Sequence, residues 1–98
     1  MVARIWRGWT AADKADEVAA HLRDATLARY LATPGHVSGH VLRRPLADGV
    51  ELMTLSLWES AAAVPAGVDE SHRLLVGRQT IAACWEVVET RPAVAAAA

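Results

Sequence analysis

Hydrophobic and polar positions alternate from Val2 to Trp9, with Ala3, Ile5 and Arg7 on one face and Arg4 and Trp6 on the other. That two-residue period predicts a β-strand. In Thr10-Ala-Ala-Asp13 a capping residue precedes an acid by three positions, which predicts a helix start. Asp13, Asp16 and Glu17 suit the positive end of that helix. Ala15, Val18, Ala19 and Leu22 recur at helical spacing, with Lys14, Glu17, Arg23 and Asp24 mostly outside the stripe. The stripe shifts around Leu27, Tyr30 and Leu31, which predicts an irregularity near Thr26. Pro34-Gly35 ends the helix. His36 to Pro45 reads as a second strand, Asp48-Gly49 as a hairpin turn and Val50 to Trp58 as a third strand. Ser60 predicts the N-cap of a short helix limited by Pro65 and Gly67. Asp69 to Val76 predicts another helical piece ending at Gly77, and Trp85 to Thr90 the last strand, followed by Pro92.

The order is therefore β-α-β-β-α-β, an α+β class with the ferredoxin-like arrangement: an antiparallel sheet carrying helices on one face. Residues 1–92 are expected to form one domain, and residues 93–98 a disordered tail. The third strand is apolar or nearly so on both faces, with Met53, Leu55 and Leu57 on one and Leu52, Thr54, Ser56 and Trp58 on the other. A sheet wet on one side would alternate more sharply. The predicted helices cover one face only, so a second copy of the sheet is expected on the other, giving an isologous homodimer.

Composition narrows the classes. The chain has 98 residues and a formal net charge of −1, with both signs scattered. No basic block offers a footprint for nucleic acid, and no apolar stretch is long enough to span a membrane. The N-terminus runs straight into a strand pattern and does not read as a signal peptide. Cys84 is the only cysteine, so no internal disulfide can form. Its place beside an apolar run suggests a buried thiol, and a cytoplasmic location fits. There is no Phe and one Tyr; Trp6, Trp9, Trp58 and Trp85 carry most of the aromatic volume, as core or as cavity wall.

Ala3-Arg-Ile-Trp-Arg-Gly8, Thr33-Pro-Gly35, Leu42-Arg-Arg44 and Leu55-Ser-Leu-Trp-Glu-Ser60, in this order, resemble the antibiotic biosynthesis monooxygenase family. The resemblance covers roughly the first two-thirds of the chain. It implies a dimeric α/β barrel in which the open sheet faces of two subunits pack together and each subunit keeps a pocket between sheet and helices. It also implies cofactor-independent oxygenation of an aromatic polyketide-like small molecule. The family contains haem-degrading enzymes too, so a haem-binding or small-molecule-binding barrel without turnover is the alternative, beside a non-oxidative cyclase or isomerase. The quinone-forming members place a Trp where Trp58 stands, an Asn four residues earlier and a Tyr six later; here those positions are Thr54 and Val64. Val64 cannot supply a phenol.

Candidate site residues follow from face and chemistry. Thr54, Ser56 and Trp58 share a face and could wall a pocket for a planar aromatic, or Trp58 could be a core staple. Arg4 shares a face with Trp6 and could hold a phenolate or enolate, the indoles of Trp6 and Trp58 sandwiching the ring. It could equally pair with Glu51, Glu86 or Glu89. His36 and His40 are expected on one face of the second strand, at the surface or a pocket rim, with His40 within reach of substrate. They would lie ~13 Å apart, too far to share a metal, and no metal site is expected. His72 is the candidate for proton transfer, with an exposed loop histidine as the plain alternative. No phosphate loop or dinucleotide fingerprint occurs, so no cofactor is expected; haem, which has no sequence signature here, is the alternative.

Overall fold

The computed structural model describes residues 1–65, 75 and 81–92. Four strands, β1 (Val2–Thr10), β2 (His36–Leu46), β3 (Gly49–Trp58) and β4 (Ile81–Glu86), form one sheet in the order β2-β3-β1-β4. Every neighbouring pair is antiparallel. The fold class is the α+β, ferredoxin-like arrangement that the strand-helix order predicts.

Between β1 and β2 the chain makes a 3-10 turn (Ala12–Lys14), α1 (Ala15–His21), a π-helical segment (Leu22–Leu27) and α2 (Ala28–Leu31). The predicted irregularity near Thr26 is this π segment. Its cause is legible in the spacing of the buried positions: Val18, Leu22, Thr26 and Tyr30 follow one another every four residues. On an α-helix of 3.6 residues per turn, each such step drifts by about 40°, so three steps drift by roughly one residue's rotation. One widened turn absorbs that residue and keeps the stripe against the sheet.

The helix start differs from expectation. Thr10 is the last residue of β1, paired with Val50, and Ala11 caps the first turn without a side-chain hydrogen bond. The first turn begins at Ala12, so the cap position falls on Ala11, one residue past Thr10. Beyond α2, Gly35 takes a φ of +88°, a conformation that favours glycine. Its carbonyl accepts a hydrogen bond from the Glu59 N–H at 2.8 Å, tying the turn to the end of β3.

The helix-facing side of the sheet carries Arg4, Trp6 and Gly8 of β1 and Leu52, Thr54, Ser56 and Trp58 of β3 in register. Trp6, Leu52, Val18 and Leu22 form the core cluster, with Ala19, Val41, Val50 and Leu75 packed around it. Full burial of Leu22, Leu52 or Val18 stabilises the fold by about 1.5–3 kcal/mol each.

The opposite face carries Ile5 and Arg7, Leu42 and Arg44, Met53, Leu55 and Leu57, and Ile81 and Trp85. Leu42, Ile81 and Trp85 are each about half exposed. The double apolar character of β3 thus has one face under the helix and one that no other layer of the described residues covers.

Three further expectations are corrected. The last strand is Ile81–Glu86 and not Trp85–Thr90, because its register is set by pairing to Val2–Arg7. Cys84 is exposed; it sits on β4, which among the described residues pairs with β1 alone. After Ser60 the chain makes one 3-10 turn, Ala61–Ala63, with no side-chain cap. The predicted helix from Asp69 to Val76 lies outside the described residues except for Leu75, which bridges to Thr10. The 93–98 tail lies outside them as well.

Candidate functional site

Arg4, Trp6, Thr54, Ser56 and Trp58 come together on the helix-facing side of β1 and β3, where Arg4 opposes Ser56 and Trp6 opposes Thr54. Trp58, Thr54 and Ser56 are completely buried. The Trp58 indole N–H donates to Ser56 Oγ at 2.9 Å, and Ser56 Oγ lies 3.4 Å from the Arg4 carbonyl oxygen that accepts from it. Trp58 thus donates to Ser56 and Ser56 in turn to the Arg4 carbonyl, a chain of satisfied groups within the buried layer.

Tyr30 and His36 complete it. Tyr30, fully buried, lies edge-on to Trp58 with ring centroids 5.1 Å apart. The Arg4 guanidinium donates to its phenol oxygen at 2.8 Å. Burial pushes the Tyr30 phenol above its ordinary value, and the nearby charges of Arg4 and Arg29 only partly oppose it. His36 lies edge-on to Trp58 at 5.0 Å and 6.1 Å from the Tyr30 ring. Tyr30 was visible as the only tyrosine on a helical stripe; no local signal pointed to its contact with Arg4.

His36 and His40 are not on one face. A β-bulge between His36 and Ser38 inserts Val37, so that His36 pairs with Trp58 and Ser38 with Leu57. The extra residue turns His36 toward the helix side and leaves His40, opposite Leu55, on the open face. His40 is exposed and does not join the cluster. His72 lies outside the described residues.

Nor is Arg4 the partner of Glu51. That carboxylate sits on the other face of β3, where it accepts from Arg7 Nε at 2.9 Å and from Arg44 Nε at 2.6 Å. Alternation sends Arg4 and Arg7 to opposite faces, so the ion pair falls to Arg7. Burial would raise the Glu51 carboxyl, but the hydrogen bonds from Arg44 and Arg7 outweigh it and hold the group below its ordinary value. Glu51 is 4% exposed, yet its cover is thin. The arginine side chains that shield it are themselves 37% and 65% exposed. The Arg7 guanidinium also stacks over the Trp9 ring, 5.5 Å from its centroid. A concavity of about 390 Å³ lies over this network, between Ile5, Met53, Ile81 and Trp85.

No family model and no curated protein sequence matches the chain. Solved structures match along nearly its whole length. A Bacillus cereus protein put forward as an antibiotic biosynthesis monooxygenase shares 15% identity at a TM-score of 0.63, over 96% of this chain and 97% of that one. A cofactor-independent oxygenase from Streptomyces nogalater shares 17% at a TM-score of 0.66, over 94% and 97%. A heme-degrader from Mycobacterium tuberculosis, solved with two hemes bound in its active site, shares 19% at a TM-score of 0.66, over 94% and 100%. With this strand order, the helix packed on one face and the agreement over nearly full length, the chain has the fold of the antibiotic biosynthesis monooxygenases.

Proposed function

We propose that this chain is a small-molecule-binding barrel that oxygenates an electron-rich aromatic phenol without a cofactor, working as a homodimer in the cytoplasm. The observation that carries the reading is the Arg4–Tyr30–Trp58–His36 cluster under the helix, in a fold shared with a cofactor-independent oxygenase. Arg4 brings a permanent positive charge to a site of low dielectric, where it favours the anion of a phenol or enol over the neutral form. Its bond to the buried Tyr30 limits the directions in which that charge can point. Trp6 and Trp58 set flat, apolar indoles in the same buried layer, and an aromatic ring admitted beside Arg4 would pack against them.

The chemistry is then the substrate's own. Loss of a proton leaves an electron-rich carbanion, which gives one electron to O2. Recombination forms a carbon–oxygen bond, and loss of water from the hydroperoxide leaves a carbonyl. A CH2 group and O2 become C=O and H2O, so no external reductant is needed. Dihydroxyanthrone (dithranol) is a fitting probe, and O2 uptake above the buffer blank is the expected result. A rate equal to the blank across a panel of anthrones and hydroquinones would remove the oxygenase reading.

The homodimer rests on the open apolar face and on the fold. Binding without turnover is the second reading, supported by Thr54 and Val64 at positions where the resemblance places an Asn and a Tyr. Haem would be its alternative ligand. The described residues offer the buried Nε2 of His36 to hold it, and the iron would supply O2 chemistry. A Soret shift on haem titration, lost in His36→Ala, is its test.

A further inference from the structure

We infer that His36 is the residue that takes the proton from a phenolic or enolic substrate, an inference that rests on the substrate class proposed above. The starting point is an anomaly. His36 Nε2 is buried from solvent and has no hydrogen-bond partner among the described residues. Leaving a buried polar atom unpaired costs about 1–3 kcal/mol, and such groups call for an explanation in function or in a missing partner.

The surroundings hold the ring in place and keep a further side chain off that nitrogen. Trp58 and Tyr30 flank the imidazole edge-on and tilted. Gly39 does the second job. It has no positive φ, so its backbone does not require glycine. What requires glycine is room: a Cβ at this position would stand 3.3 Å from His36 Nε2 and 3.1 Å from Leu27 Cδ2. Gly39 and Leu27 also line a groove of about 460 Å³ between the helix and β2. The bulge at Val37 is the third component, because without the extra residue His36 would face away from the helix. Bulges re-aim side chains in this way next to active sites.

The step breaks the substrate O–H bond. The proton moves to Nε2, and the bonding pair stays on the oxygen as phenolate or enolate. The charged groups on the elements packed against His36 are Arg4, beside Tyr30, and Arg29 on α2. Glu59 lies near Gly35 at the adjoining turn. Arg4 and Arg29 favour the substrate anion, and Arg4 is the one already fixed in the cluster.

Dithranol changes its absorption spectrum when it ionises, so the fraction of bound anion is measured directly under anaerobic conditions. The wild-type protein is expected to bind it as the anion at neutral pH and to shift the nitrogen NMR signal of His36 Nε2 on saturation. His36→Gln is expected to bind it with an anion fraction on the order of tenfold lower, and Gly39→Ala to weaken binding several-fold by setting a methyl group against that nitrogen. Three outcomes separate the claims. If wild type binds no dithranol or related phenol, the substrate class is wrong and this inference goes with it. If wild type binds the anion and His36→Gln binds it equally, His36 is a packing residue. Should the glutamine variant fail to fold, the wild-type signal decides alone, since an Nε2 resonance unmoved by saturating dithranol overturns the inference.

Discussion

Deleting Ala25 should be nearly harmless, whereas deleting Ala20 should be severe, although both are small residues of one continuous helix. Ala25 lies in the π segment and is exposed. Buried positions Val18, Leu22, Thr26 and Tyr30 are spaced by four, four and four. Removing Ala25 makes the middle step three, and a four-three-four pattern is what an α-helix of 3.6 residues per turn keeps on one face. The widened turn can then close to α-helix with Thr26 and Tyr30 still against the sheet and Tyr30 still within reach of Arg4. Removing Ala20 instead rotates Leu22 by about 100° relative to Val18. Leu22 is fully buried in the core cluster, and its loss from there costs about 2–5 kcal/mol by analogy with large-to-small core changes. At roughly 4–8 °C per kcal/mol for a domain of this size, the Ala20 deletion should lower the melting temperature by at least about 8 °C. The Ala25 deletion should move it by no more than a few degrees in either direction. Thermal melts followed by circular dichroism measure both. The near-ultraviolet signal of the single tyrosine and the buried tryptophans checks that the cluster is intact. Equal losses for the two deletions would refute the register argument.

Other consequences are simpler to read. Ser56→Ala leaves the buried Trp58 N–H without its acceptor and should cost about 1–3 kcal/mol in denaturant unfolding; the same change in a Trp58→Phe background should cost clearly less, and equal costs would show that the bond contributes nothing. Glu51 has a folded-state value below its ordinary one, so its contribution to stability is present above the ordinary carboxylate range and lost as pH falls through the depressed value. The stability difference between wild type and Glu51→Gln should therefore be largest near neutrality and vanish in acid; parallel pH curves would contradict it. Light scattering at micromolar concentration should give twice the chain mass, and a charge placed on the open face by Leu55→Lys should return the monomer; a monomeric wild type would leave the open sheet face without its proposed cover.

The sequence alone determined what depends on period. Alternation in β1 and β3 assigned every named side chain of those strands to its face, because successive residues of a strand point to opposite sides. The shift of the helical stripe at Leu27, Tyr30 and Leu31 located the irregularity near Thr26, and β3, apolar on both faces, announced a sheet with two surfaces to cover. Tertiary structure decided what depends on one-residue shifts and on contacts across the chain. An inserted Val37 flips His36 relative to His40, and nothing in the local pattern marks an insertion until the partner strand fixes the register. Pairing with β1 set the bounds of β4. The bond between Arg4 and Tyr30 joins residues twenty-six positions apart and exists only because strand and helix pack together. The candidate site was therefore half legible: Arg4, Trp6, Thr54, Ser56 and Trp58 from strand parity, Tyr30 and His36 only from packing.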